Sequence, residues 1–152
     1  MADIVDSATR SRMMAQVRSK NTRPELQIRK GLHAKGFRYR LHHAGLPGKP
    51  DLVFPKYRAV IFVNGCFWHG HDCSLFSWPG TRPEFWKEKI LKNRTRDQLA
   101  LELLRKQGWR TLTVWECVLR GPKRRPIDEI LDECSSWLSG RDSSTEIHGG
   151  HT

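Results

Sequence analysis

The chain has 152 residues, enough for one domain with its own core, and its 38% apolar content is ordinary for a soluble protein. No apolar run reaches the length of a membrane span, and Met1 to Asp6 have neither the basic nor the apolar part of a signal peptide, so the expected compartment is the cytoplasm. The formal charge of +11 favours a polyanionic partner, nucleic acid before membrane, because each neutralised phosphate releases counterions and no basic helix carries a matching apolar face.

Residues 1–20 read as a basic N-terminal arm, with a weakly amphipathic stretch from Ser7 to Val17 that carries Arg10, Arg12, Met13 and Met14. Thr22-Arg23-Pro24-Glu25 is a capping box with proline in the first turn, and the helix it opens should stop near Gly36. Phe37 to Leu41 alternates like a strand, His42 to Pro50 is a Gly- and Pro-rich loop, and Leu52 to Phe54 extends a short strand from Asp51. Ala59 to Val63 is a continuous apolar run, expected as a buried central strand. Asn64 to Gly80 is irregular and rich in His, Cys, Gly and aromatic residues. A second capping box, Thr81 to Glu84, should start a long helix that ends before Gly108. Trp109 to Trp115 reads as a strand with both tryptophans in the core. Ile127 to Leu138 reads as a final amphipathic helix, and residues 140–152 as a disordered polar tail. The order predicts an α/β domain over residues 21–139, one sheet with helices packed on its faces.

Cys66, His71 and Cys73 lie within eight residues, and Cys117 follows the last strand. Three thiolates and an imidazole suit tetrahedral Zn²⁺, and four protein ligands leave no open position, so this zinc would be structural. Spacing alone leaves His69 as an alternative to His71. Cys134 falls on the apolar face of the last helix and should pack in the core.

Asp51, Glu25, His69 and Asp97 are the candidates for phosphodiester chemistry. Asp51 can hold Mg²⁺, Glu25 can order the cation's water, and His69 can move a proton near neutrality. Spacing alone favours plainer roles: a turn carboxylate, a helix cap and two surface residues.

The combination of Ala8-Thr9-Arg10-Ser11, Leu46-Pro47-Gly48-Lys49-Pro50-Asp51, Gly65 to Cys73, Glu84-Phe85-Trp86 and Val114-Trp115-Glu116-Cys117 resembles the very-short-patch mismatch repair endonucleases, over about Asp3 to Trp137. The resemblance implies a restriction-endonuclease-like core, with a central mixed sheet flanked by helices, plus a structural zinc site. It implies a Mg²⁺-dependent nick in one strand, just 5′ of the T in a T:G mismatch left by deamination of 5-methylcytosine. It implies Mg²⁺ at Asp51 and the Val63 carbonyl, support from Glu25, and proton transfer by His69, oriented by Asp97. It assigns zinc to Cys66, His71, Cys73 and Cys117. It also implies a link to the mismatch-repair ATPase machinery; the expected partner is double-stranded DNA, and the expected state a monomer at the nucleoid. Asn64 departs from the pattern: some relatives carry a histidine there, and an amide cannot act as an acid or base at neutral pH.

Mismatch reading is expected from aromatic wedges. By the resemblance, Phe67, Trp68 and Trp86 insert or stack from the major groove, and Met14 probes the minor groove. Arg10, Arg12, Lys20, Arg23 and Lys49 are candidate phosphate contacts. Two rivals share some of these features. A non-catalytic zinc-stabilised DNA-binding module leaves the carboxylates unexplained, and a general Mg²⁺-dependent nuclease leaves the aromatic loop unexplained.

Overall fold

The computed structural model describes residues 22–148, so the expected arm, with Arg10, Arg12, Met14 and Lys20, lies outside the described residues. The elements run α1 (Arg23–Ala34), β1 (Arg40–Leu41), β2 (Leu52–Phe54), β3 (Ala59–Asn64), α2 (Pro83–Lys106), β4 (Arg110–Trp115), α3 (Ile127–Ser139) and β5 (Thr145–Ile147). The five strands form one mixed sheet in the order β1-β2-β3-β4-β5. The first two pairings are antiparallel and the last two parallel, and α2 is the crossover between β3 and β4.

Strand alternation sorts the core into two layers. Leu52, Phe54, Ala59, Ile61, Leu112 and Val114 face α1 and α3, and meet Ile28, Leu32, Ile130, Cys134 and Leu138. Val53 and Val60 face the other way, toward Leu104 of α2, with Leu46, Phe62 and Trp109 packed alongside. Cys134 is fully buried in the larger layer, and burial pushes its thiol up to about 12.

Several local expectations change. Thr22 does cap α1, accepting from the Glu25 backbone N–H at 3.4 Å, but the Glu25 carboxylate turns inward instead of closing the box. At α2 the cap is Arg82 rather than Thr81; its backbone is left-handed and its guanidinium lies over the Phe85 ring at 4.5 Å. Leu91, Leu99 and Leu103 of α2 stay exposed, because its buried stripe runs through Trp86, Ile90, Asn93, Ala100 and Leu104. β1 keeps only Arg40–Leu41, since the chain first folds back to close α1, with the Phe37 N–H donating to the Leu32 carbonyl. Trp109 packs half-buried against the smaller layer, while Trp115 sits half-buried at the open end of β4 instead of in the core. The tail expected to be disordered from residue 140 forms β5 at Thr145–Ile147, pairing with β4 and burying Ile147. Arg110 helps dock this segment, donating to the carbonyls of Trp137, Leu138 and Asp142.

Candidate active site

Two carboxylates meet at the end of the sheet where β2 begins. Asp51 immediately precedes β2, and its Oδ2 accepts from the Val63 N–H of β3 at 2.7 Å. Glu25, in the first turn of α1, is 2% exposed. Its Oε2 accepts from Arg29 Nη1 at 2.9 Å, and its two oxygens lie 2.9 and 2.8 Å from His42 Nε2. The donor atoms of Glu25, His42 and Asp51 all lie within 4.8 Å of one another. Burial pushes the Asp51 carboxyl from its ordinary 3.8 up to about 7; the Val63 N–H and His42 oppose the rise, and the Glu25 charge adds to it. Two carboxylates drawn together at the cleft, only one of them paired with an arginine, offer hard oxygen donors that suit a divalent cation such as Mg²⁺.

His42 did not stand out in the sequence. It lies in a loop with no periodicity, and the available signal was its position directly after the strand pattern of Phe37 to Leu41.

The second half of the site is the loop after β3. Tight turns wind residues 65–71, with the His69, Gly70 and His71 N–H groups donating to the carbonyls of Gly65, Phe67 and Cys66. Helix α2 grips this loop from one side. Asn93 Nδ2 donates to the Trp68 carbonyl at 2.9 Å, Arg94 donates to the Gly70 carbonyl, and Asp97 Oδ2 lies 2.5 Å from His69 Nδ1. Gly70 permits the grip: its φ is +60°, and a Cβ there would stand 2.6 Å from Ile90 Cγ2. A carboxylate at Nδ1 fixes that nitrogen as the proton carrier and leaves Nε2 as the acceptor. Asn64, the last residue of β3, lines the same cleft half-buried.

Cys66, His71, Cys73 and Cys117 converge with their donor atoms within 4.8 Å. His71 Nδ1 is 3.7 Å from Cys117 Sγ, so His71 joins the thiols while His69 faces Asp97. Burial, then the neighbouring Cys117, raises the Cys66 thiol far above its usual range. Three crowded thiols and one imidazole are the donor set a tetrahedral soft-metal site needs, so the residues fit Zn²⁺. The Trp115 ring stacks on His71 at 4.1 Å, with its Nε1 donating to Glu146 Oε1 of β5 at 2.6 Å.

The aromatic side chains form a cluster beside the loop. Phe67, Trp68 and Trp86 have ring centroids 5.3 to 5.8 Å apart. Phe67 and Trp68 are half-buried, and Trp86 is buried beneath them at 8% exposure. All of this borders one cleft of about 1730 Å³, lined by Glu25, Asp51, Val63, Phe67, His69 and Asp97. Arg23, Lys49, Arg94, Arg105 and Arg120 add positive charge to its walls; the last three were not singled out in the sequence, where they look like ordinary helix-face and loop charges. No helix of the described residues is long and apolar enough to cross a membrane.

The molecule is thus a mixed α/β protein with one broad cleft, a Glu25–His42–Asp51 group that could hold a cation and a separate Cys/His cluster that could hold a metal ion. The profile of the family described as DNA mismatch endonuclease Vsr matches residues 2–75. The chain is 44% identical to the DNA mismatch endonuclease Vsr of Escherichia coli K12 over 147 residues, covering 97% of this chain and 94% of that protein. It is 50% identical to the type II nicking enzyme V.XorIIP of Xanthomonas oryzae pv. oryzae, covering 87% and 98% of the two chains. It is 44% identical to the type II nicking enzyme V.NmeAIP of Neisseria meningitidis serogroup A, covering 79% and 86%. The chain belongs to the DNA mismatch endonuclease Vsr family.

Proposed function

We propose that this protein is a Mg²⁺-dependent DNA endonuclease that nicks one strand 5′ of the T in a T:G mismatch, on a restriction-endonuclease-like core. The observation that carries the reading is the meeting of Asp51, Glu25 and the His69–Asp97 pair in one cleft. The names of the relatives support endonuclease activity, mismatch action and nicking.

In this reading Asp51 and the Val63 carbonyl would hold the cation, and Glu25 would order the water around it. Mg²⁺ supplies polarisation of a nonbridging phosphate oxygen. The water oxygen attacks phosphorus as one P–O ester bond breaks, His69 Nε2 takes the water's proton, and the departing ester oxygen takes a proton from solvent to leave as a hydroxyl. Asp97 keeps His69 in the tautomer that leaves Nε2 free and offsets the charge it gains. Asn64 can donate an amide hydrogen bond to the scissile phosphate, but it carries no proton for transfer. Lys49 and Arg23 neutralise flanking phosphates, and Arg10, Arg12 and Met14 of the arm extend the contact along the duplex.

Phe67 and Trp68 wedge into the weakened step from the major groove, with Trp86 stacking behind them. Cys66, His71, Cys73 and Cys117 would hold zinc, which would stiffen the loop that presents them. The enzyme acts as a monomer in the cytoplasm, at the nucleoid, with a link to the mismatch-repair ATPase machinery. A strand-labelled nicking assay on T:G, T:A and C:G duplexes, with and without Mg²⁺, tests the whole reading. Equal cutting of all three, or cutting without a divalent cation, defeats it.

A further inference from the structure

The two candidate carboxylates come from different elements, and one residue bonds to the side chain of Glu25 and to the backbone of Asp51. The His42 N–H donates to the Asp51 backbone carbonyl at 3.0 Å. Its Nε2 lies 2.8 and 2.9 Å from the two oxygens of Glu25. An ionised carboxylate has no proton to give, so Nε2–H is the donor. Arg29 also holds Glu25, but from the same helix four residues on, which fixes the carboxylate to α1 alone. His42 ties it to the strand pair that carries Asp51. The backbone reinforces the point: the chain leaves β1 at His42, with φ at +48°, a conformation that L side chains rarely adopt and that clusters at functional sites. The His42 side chain is only 11% exposed, so the contact is shielded from competing water.

We propose that His42 is a positioning residue for the catalytic cation, holding the Glu25 carboxylate in register with Asp51. This rests on the reading of Asp51 and Glu25 as the cation site. Donor partners that orient metal-site carboxylates are commonly worth about 10- to 100-fold in metal affinity.

The test compares His42→Gln with His42→Asn in full-length, zinc-loaded protein. The Gln amide N–H can reach the position of Nε2. The Asn amide sits near Nδ1, short of Glu25, yet asparagine tolerates the left-handed backbone. Mn²⁺ affinity is read by electron paramagnetic resonance, folding by circular dichroism, and nicking by its Mg²⁺ half-saturation, kcat and KM for DNA. The Asn variant should bind Mn²⁺ about 10- to 100-fold more weakly and lose kcat with KM for DNA unchanged, while the Gln variant stays within about three-fold of wild type. Adding Glu25→Gln to the Asn variant should cost little beyond Glu25→Gln alone, since His42 acts through that carboxylate. Wild-type Mn²⁺ affinity in the Asn variant, equal losses in Gln and Asn variants, or full additivity with Glu25→Gln overturns the proposal. Wild-type protein that neither binds Mn²⁺ nor nicks DNA defeats the cation-site reading itself, and the proposal with it.

Discussion

Asp51 combines a structural cost with a chemical use. Its carboxyl is raised from 3.8 to about 7, chiefly by burial. The folded protein therefore binds that proton more tightly than the unfolded chain does. The resulting stabilisation is complete below about pH 4 and is lost as pH rises through about 7. Without added divalent cation, wild type should lose melting temperature relative to Asp51→Asn across that window, because the amide does not titrate. Added Mg²⁺ should restore wild type alone at about pH 8, by favouring the ionised carboxylate. A melting-temperature difference that stays constant from pH 4 to about pH 8 would show that Asp51 is not the group under strain. Asp51→Ala should bind T:G DNA nearly as wild type does and fail to nick it. His69→Ala should lose about 10²- to 10⁴-fold in kcat, the usual worth of a proton-transfer group. Single-turnover nicking beside a binding isotherm separates these outcomes, and normal cutting by Asp51→Ala would mean that the cation sits elsewhere. The sequence held the types of these residues but not their company. Asp51 is marked by its Pro-Asp entry to a strand and His69 by its Cys/His loop. Glu25 looked like half of a capping box, and His42 like loop filling, because what joins them is contact between residues 17 positions apart.

Elements with regular periodicity were legible: α1, α3, β3 and β4 lie where their apolar patterns and punctuating glycines put them. Those that depend on partners were not. β5 has three residues in a polar tail, and what orders it is the edge that β4 offers and the anchoring by Arg110, neither of which leaves a local pattern. This strand carries Glu146 to the Trp115 indole, which stacks on His71. Ending the chain at Gly140 should therefore do more than shorten a tail. It should expose the β4 edge, leave Trp115 unbraced and speed zinc release to a chromogenic chelator. Unchanged release would show that β5 leaves the cluster alone. The cluster itself joins the loop after β3 to the turn after β4, segments about 50 residues apart whose irregular backbone has little other reason to hold shape. One zinc per chain is expected, and Cys117→Ala should be poorly folded rather than merely inactive, since a structural zinc contributes its binding energy to folding. Elemental analysis with thermal unfolding checks this; a metal-free protein that stays folded and active would remove zinc from the account.

At the scale of the whole molecule, the proposed reading divides the work of recognition between the net charge of +11 and the aromatic side chains at the cleft. Phosphate contacts, the role proposed for Lys49, bind any duplex and so would supply affinity without choice. Choice between T:G and a matched pair must come from the cost of deforming the step. In the proposed reading the Phe67, Trp68 and Trp86 cluster would meet that cost: the two half-buried rings rest on a buried third, so insertion would exchange ring–ring contact for ring–base contact. A wobble pair has already surrendered part of its stacking. If that lowers the deformation cost by about 2–4 kcal/mol, discrimination should reach about 30- to 1,000-fold. Trp68→Ala should erase most of this preference while leaving matched-duplex binding nearly intact. Lys49→Ala should do the reverse, weakening all duplexes alike and reducing the slope of log affinity against log salt by about one. The measurement is kcat/KM for nicking and Kd at several salt concentrations, on duplexes that differ only at the central pair. If Trp68→Ala keeps its preference for T:G, the wedge lies elsewhere, and if Lys49→Ala loses affinity for T:G alone, that lysine reads the mismatch rather than the backbone.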